Sequence, residues 1–123
     1  MLRKKIRKFN TKSRLNTELT LVKKINLKEN QQITFVEYSK GKIKEYDVVK
    51  KDWGYYATPS INKRLKKFKY ECALIKNKQN KFFLCLINKN MKKKFILYLK
   101  DDDQKIVCWL NSNNLKSIEN LNL

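Results

Sequence analysis

The chain has 123 residues, of which 41% are hydrophobic and 33% charged, and 30 Lys or Arg against 11 Asp or Glu give a formal net charge of +19. This length fits one domain with one modest core. The six Phe, six Tyr and two Trp argue against disorder throughout, and no apolar run approaches the roughly 18 residues that span a bilayer. We therefore expect a soluble protein of the cytoplasm.

Several kinds of catalytic and metal site are excluded by the residues that are missing. Without histidine, the chain cannot form a Ser-His or Cys-His nucleophile pair or a His-containing zinc site. Cys72, Cys85 and Cys108 form no C-x-x-C pair and lie in apolar sequence, so we expect reduced core thiols. Because Gly41 and Gly54 are the only glycines, the sequence contains no glycine-rich phosphate-binding motif. The sequence predicts no cofactor, no metal site and no catalytic residue.

Residues 1–18 are predicted to be a basic N-terminal arm. Leu2, Ile6 and Phe9 fall at i, i+4 and i+7, so the arm has the spacing of an amphipathic helix, and a solvated tail is the alternative. The arm residues expected to contact phosphates are Arg3, Lys4, Lys5, Arg7 and Lys8.

Residues 19–110 are predicted to form a single α+β domain that begins with strands. The alternation from Leu19 to Leu27 indicates one strand, and the stretch from Ile33 to Val49 predicts a hairpin around a turn at residues 39–42. The next stretch, DWGYYATPSINKRL at residues 52–65, has the least biased composition, because glycine and proline stand among clustered aromatics. Gly54 there is consistent with a bulge or a close backbone approach.

The dipeptide Thr58-Pro59 has the chemistry of a helix N-cap followed by proline at the first helical position. We therefore predict a helix from Pro59 to Lys69. Its buried stripe would consist of Ile61, Leu65 and Phe68. Its exposed face is expected to contact phosphates through Lys63, Arg64, Lys66 and Lys67.

Two apolar strands, a helix and a last strand are predicted after that helix. The strands are Glu71 to Lys76, Phe82 to Ile87 and Ile106 to Leu110, the helix runs from Asn90 to Lys100, and residues 111–123 form a tail or short helix. The buried side of the Asn90 to Lys100 helix would hold Met91, Phe95, Tyr98 and Leu99, with Lys92 to Lys94 outside.

This order of elements predicts a ferredoxin-like βαββαβ antiparallel sheet with an extra N-terminal hairpin and the basic arm. Because FFLCLI and IVCWL are apolar at every position, the second face of the sheet should also be covered. The candidates are the hairpin folding back, a homodimer partner and a ligand.

The excess of positive charge favours a polyanionic partner, and the leading hypothesis is a nonenzymatic nucleic-acid-binding module that acts on phosphates, with RNA the expected form. RNA-recognition domains share the predicted element order and stack bases on strand aromatics, which invites a comparison with Trp53, Tyr55, Tyr56, Phe82 and Phe83. The alternative is an enzyme or accessory subunit for an anionic small molecule such as a nucleotide or sugar phosphate. Its pocket would be formed by Trp53, Tyr55, Tyr56, Thr58, Ser60, Asn62 and Arg64. A third hypothesis is docking of the basic surface on an acidic protein partner.

Overall fold

The computed structural model describes Lys5–Phe9 and residues 17–123, with side chains described from residue 18 onward. Within these residues the protein is a mixed α+β fold with two three-stranded antiparallel sheets and three helices. In addition, β1 (Lys5–Phe9) pairs with β2 (Thr17–Leu21) in an antiparallel ladder. Lys5–Phe9 is therefore a strand and not part of an amphipathic helix, while Arg3 and Lys4 lie outside the described residues.

The first sheet has the order β3 (Gln32–Ser39), β4 (Lys42–Lys51) and β5 (Gly54–Ala57). The β3–β4 turn places Lys40 at φ 48° and Gly41 at φ 74°, which is the backbone of a two-residue type I′ hairpin turn. The predicted hairpin is confirmed, and its tight turn sets the register that pairs Phe35 with Tyr46.

Gly54 follows the turn between β4 and β5 at φ 141°, a conformation that glycine adopts at little cost. A Cβ at this position would meet no heavy atom within 4 Å. Gly54 is therefore required for the backbone conformation of the turn, and no other segment of the described chain packs against it.

The second sheet places β6 (Tyr70–Lys76) between β7 (Phe82–Asn88) and β8 (Lys105–Trp109), with both pairs antiparallel. These strands confirm the prediction to within a residue or two at each end. Helix α2 (Lys92–Asp101) follows a short 3₁₀ segment, Lys89–Met91. The core lies between α2 and one face of this sheet, and its buried members are Ala73, Ile75, Ile87 and Leu99.

The buried side of α2 is narrower than predicted. Leu99 is buried and Phe95 packs against the core, but Met91 and Tyr98 are exposed. A helix above a sheet of three strands buries a narrow stripe of its surface, and Lys92, predicted to be outside, occupies part of that stripe as a half-buried residue.

Helix α1 (Arg64–Lys67) has four residues, so the prediction of a helix from Pro59 to Lys69 is wrong. Its N-cap position is Lys63 and not Thr58, and no side chain caps it. The Thr58 backbone N–H donates to the carbonyl of Asp47 at 3.0 Å, which keeps this part of the chain beside β4. Leu65 is still buried, as the apolar spacing predicted.

A ferredoxin-like order is not confirmed. Strand β5, which precedes α1, pairs with β4 instead of joining β6, so the strands divide into two sheets. The reason is local: β5 follows β4 after a turn of two residues, and adjacent antiparallel strands pair at a low cost in chain entropy.

The first sheet covers one end of the second face of the second sheet. At that end the Tyr70 hydroxyl donates to Glu37 at 2.5 Å, and Lys44 Nζ donates to Asn88 Oδ1 at 2.5 Å. At the other end Leu84 remains exposed. Folding back of the hairpin thus accounts for part of the predicted cover.

Helix α3 (Ser112–Glu119) is the last element of the described chain and is capped by Asn111, whose side chain accepts from the Asn114 backbone N–H at 2.8 Å. The Asn114 amide in turn donates to the Trp109 carbonyl at 2.7 Å, which ties α3 to the end of β8. In the described part of the chain, no helix is long and apolar enough to cross a membrane.

Candidate nucleic-acid interface

Three aromatic side chains, Trp53, Tyr55 and Tyr56, stand exposed at the β4–β5 end of the first sheet, and we call them the aromatic surface. Their exposed fractions are 68%, 62% and 44%. The Trp53 and Tyr56 rings stack with centroids 5.8 Å apart and planes inclined by 22°. Because successive strand residues point to opposite faces, Tyr55 lies on the other side of the sheet from Tyr56. The aromatic surface therefore offers flat apolar area on both sides of one sheet end.

Positive charge adjoins these rings. Lys50 Nζ lies 4.9 Å from the centroid of the Tyr55 ring, within the range of a cation–π contact. Lys51 Nζ donates to Asn30 Oδ1 at 2.6 Å, and the Asn30 backbone N–H donates to the Lys50 carbonyl at 2.8 Å. The loop before β3 thus supports the end of β4, and this fixes the turn that carries Trp53.

Arg64, predicted as a phosphate ligand and as part of an anion pocket, is held in a structural contact. Its guanidinium lies 3.0 Å from Asp47 Oδ2 and donates to Thr58 Oγ1 at 2.6 Å. Asp47 is buried and also accepts a hydrogen bond from Thr34 Oγ1 at 2.6 Å. The charge of Arg64 is therefore already balanced by a buried carboxylate.

The other predicted pocket residues between Thr58 and Asn62 do not converge on one point. Thr58 points to Asp47, Ser60 Oγ accepts from the Arg64 backbone N–H at 3.3 Å, and Asn62 lines a cavity elsewhere. A four-residue helix also offers no developed dipole for an anion. Thr58 and Arg64 therefore both contact Asp47, which engages two of the groups that were expected to bind an anion.

The remaining lysines of the α1 segment, which we define as residues 61–67, are open to solvent. Lys63, Lys66 and Lys67 are exposed, and none of them forms an ion pair with a carboxylate of the described residues. Three unpaired ammonium groups within five residues are suited to phosphate oxygens. Of the arm lysines and arginines, Lys5, Arg7 and Lys8 lie on β1, and the described side chains do not include theirs.

The strand aromatics Phe82 and Phe83 are 57% and 48% exposed, and they point to opposite faces of the edge strand β7. Lys76 Nζ lies 5.6 Å from the centroid of the Phe82 ring. The second sheet therefore also carries an exposed aromatic ring beside a lysine. This ring lies on the edge strand β7.

A cavity of about 180 Å³ lies where β6, β8 and the α1 segment meet, and the sequence did not reveal it. Lys92 Nζ is 3.0 Å from Glu71 Oε2 and 4.3 Å from the centroid of the Trp109 ring. Sequence reasoning predicts only a strand end at Glu71 and an outward lysine at Lys92. The signal that could have found the pair is weak: an acidic residue at the start of an apolar strand and a lysine next to an apolar helix stripe.

Cys72 has the buried environment that the sequence predicted for a core thiol, whereas Cys85 and Cys108 are half-buried. Cys72 is buried, and burial raises the pKa of the Cys72 and Cys85 thiols above the ordinary value, which disfavours the reactive thiolate. Within the described residues, no three Cys, Asp or Glu side chains come together as metal ligands would.

Comparisons with known protein families, curated proteins and solved structures give no match. No relative therefore supplies a function, and the surface chemistry of the chain itself is the basis for assigning one.

Proposed function

We propose that this protein binds single-stranded nucleic acid, with RNA the expected form, and that it does so without catalysing a reaction. Bases stack on the aromatic surface, and lysines neutralise the phosphates. The proposal joins the net charge of +19 to the exposed rings that the fold places at one sheet end.

The observation that carries the proposal is the aromatic surface. Large aromatic side chains normally bury their rings, yet Trp53 and Tyr55 are more than half exposed on a well-paired turn and strand. Nonspecific single-strand binders use such rings for base stacking, next to a basic groove that follows the backbone. Lys50 Nζ, 4.9 Å from the centroid of the Tyr55 ring, places one ammonium group beside one of these rings.

Charge supports the same function. Lys63, Lys66 and Lys67 have no carboxylate partner among the described residues, so their charge is available to phosphates. Lysine acts on phosphate as a compact point charge, and bidentate base recognition favours arginine, of which the chain has four. The expected binding is strongly salt dependent and weakly sequence specific.

An anionic small molecule around Trp53 and Arg64 stays the second prediction. It is less supported because Arg64 is paired with Asp47 and the three rings are exposed to solvent. Docking on an acidic protein, a homodimer through the exposed end of the second sheet and a cytoplasmic location stay predictions as well.

The test is fluorescence anisotropy of the nuclease-treated protein with single-stranded and duplex RNA and DNA, each at several salt concentrations. We expect preference for single strands and a linear fall of log affinity with log salt, with a slope of about −0.7 per phosphate neutralised. The contrary result is equal binding of all four probes at low salt that disappears at physiological salt. The positive charge would then reflect amino-acid composition and not a nucleic-acid partner.

A further inference from the structure

The cavity beside Glu71 has the size and lining of a site for one flat ring. Its volume is about 180 Å³, and a cavity of about 150 Å³ holds a benzene ring in another protein. Ile61, Leu65, Leu110 and the indole of Trp109 supply apolar wall, while Asn62, Asn111 and Ser112 add polar groups. Mixed lining of this kind, with few polar groups on apolar walls, is typical of small-ligand pockets.

One buried polar atom in this cavity has a single polar neighbour. Glu71 Oε2 lies 3.0 Å from Lys92 Nζ, and no other donor of the described residues reaches it. An ionised carboxylate has about four lone-pair sites, so one ammonium partner leaves acceptor capacity unused. A ligand that brings an N–H group to this point therefore gains affinity.

The charges around the cavity restrict that ligand to a neutral donor group. Lys66 and Lys92 both line the cavity and the whole chain carries a charge of +19, so a cationic ligand would be repelled. A flat neutral ring with N–H groups at its edge fits, and a phosphate attached to that ring is attracted to the exposed ammonium of Lys66.

Among the nucleobases, guanine has the matching edge. Its N1–H and N2–H donors are adjacent, whereas adenine and cytosine place an acceptor nitrogen next to their amino group and uracil flanks its N–H with two carbonyls. A carboxylate accepts hydrogen bonds and cannot donate when ionised, so guanine, the one nucleobase with two adjacent donors on one edge, suits it best. We propose that this cavity binds a guanine base, with Glu71 accepting from the base edge and Lys66 contacting the attached phosphate.

The guanine can belong to a free nucleotide or to a bound strand, and the strand form rests on the function proposed above. Trp53→Phe leaves Trp109 as the one tryptophan, so its fluorescence reports the cavity alone. In this background we expect saturable quenching by guanosine 5′-monophosphate, and a Kd at least about ten-fold weaker for adenosine 5′-monophosphate.

Glu71→Gln should weaken the binding of guanosine monophosphate about ten-fold. The matched control Glu119→Gln makes the same charge change at an exposed position on α3 and should leave the Kd for guanosine monophosphate unchanged. Base selectivity in the Trp53→Phe background tests the site even where Glu71→Gln fails to fold. Equal quenching by both nucleotides, or none, overturns the proposal.

Two RNA strands, one of uridines alone and one with a central guanosine, distinguish the sources. A gain in affinity from the guanosine that Glu71→Gln removes assigns the site to a base of the strand. Guanosine monophosphate binding with no such gain assigns it to the free nucleotide. If the protein binds guanosine monophosphate but does not bind the uridine strand, the proposed function is contradicted. The proposal for the cavity is then still supported.

Discussion

The guanidinium of Arg64 lies 3.0 Å from the carboxylate of Asp47, and this ion pair joins the segment after β5 to the middle of β4. Asp47 is the one charged side chain buried in the described part of the chain. Thr34 and Thr58 complete its hydrogen bonding, at 2.6 and 3.5 Å. A residue that the sequence marks as a phosphate ligand therefore stabilises the fold.

Arg64→Met keeps the apolar stem and removes the charge, so Asp47 loses its cationic partner. We expect the free energy of unfolding to fall by about 1–3 kcal/mol, because a buried carboxylate is left with hydroxyl donors alone. Urea denaturation measures this loss. The control Lys63→Met changes the same net charge at an exposed position and should shift stability by less than about 0.5 kcal/mol. Similar losses for both variants would contradict a structural role for Arg64.

The unpaired lysines of the α1 segment should act on affinity. Replacing Lys63, Lys66 and Lys67 together by Gln should weaken binding to a single-stranded RNA and reduce the salt slope by about 0.7 for each phosphate that is no longer neutralised. The control is the same three-charge change on α2, at Lys93, Lys94 and Lys100. Anisotropy at four salt concentrations compares the two variants, and equal reductions in affinity would show that net charge alone controls binding.

The contact between the two sheets should respond to high pH. Burial, and then the hydrogen bond to Glu37, raise the pKa of Tyr70 to about 12. A raised pKa favours the neutral phenol, so its contribution to stability is complete below the ordinary value of about 10 and is lost as pH rises through about 12. Urea unfolding of wild type and Tyr70→Phe should therefore converge over this window, with Tyr38→Phe as the exposed control. Parallel curves for wild type and Tyr70→Phe would contradict the contact.

At low pH the stability of this contact depends on the ionisation of Glu37. Hydrogen bonds from Tyr70 and Asn88, with the charge of Lys44, lower the pKa of Glu37. A lowered carboxyl pKa gives stability that is present above the ordinary value of about 4.3 and is lost as pH falls through the lower one. Because Glu37 is exposed, we expect solvent to screen most of this effect.

Substitutions of two leucines of α2, one buried and one exposed, test the packing of this helix on the core. Leu99 is 3% exposed and packs on Ala73, Ile75 and Ile87, whereas Leu97 is 61% exposed. Leu99→Ala should lower the free energy of unfolding by about 2–5 kcal/mol, because it leaves a cavity in a small core. Leu97→Ala should cost less than about 0.5 kcal/mol. Chemical denaturation of both variants checks the orientation of α2.

The sequence predicts well those elements whose signals are local. The β3–β4 hairpin follows from alternation around Lys40-Gly41, and α2 from a helical apolar spacing that ends before the acids at residues 101–103. These elements need only their own residues to specify them.

Long-range pairings were not predictable in the same way. The short α1 depends on the bond from the Thr58 N–H to Asp47, eleven residues away. The division into two sheets has a local cause, the β4–β5 hairpin, but the sequence did not predict strand β5. The Thr58-Pro59 signal is a real capping pattern, but tertiary contacts outweigh it here. The cavity was missed for the same reason: Glu71 and Lys92 meet only after β6 and α2 pack together.

The most direct test of the central claim compares aromatic side chains at the two ends of the first sheet. Trp53 lies at one end, and the exposed Tyr38 lies at the other, roughly 26 Å along the strand at about 3.3 Å per residue. The measurement is the Kd for a uridine-only RNA strand at physiological salt. We predict that Trp53→Ala weakens it by about 1–3 kcal/mol, the value of one base stack, and that Tyr38→Ala leaves it unchanged. Equal Kd values for Trp53→Ala and wild type would contradict binding at the aromatic surface.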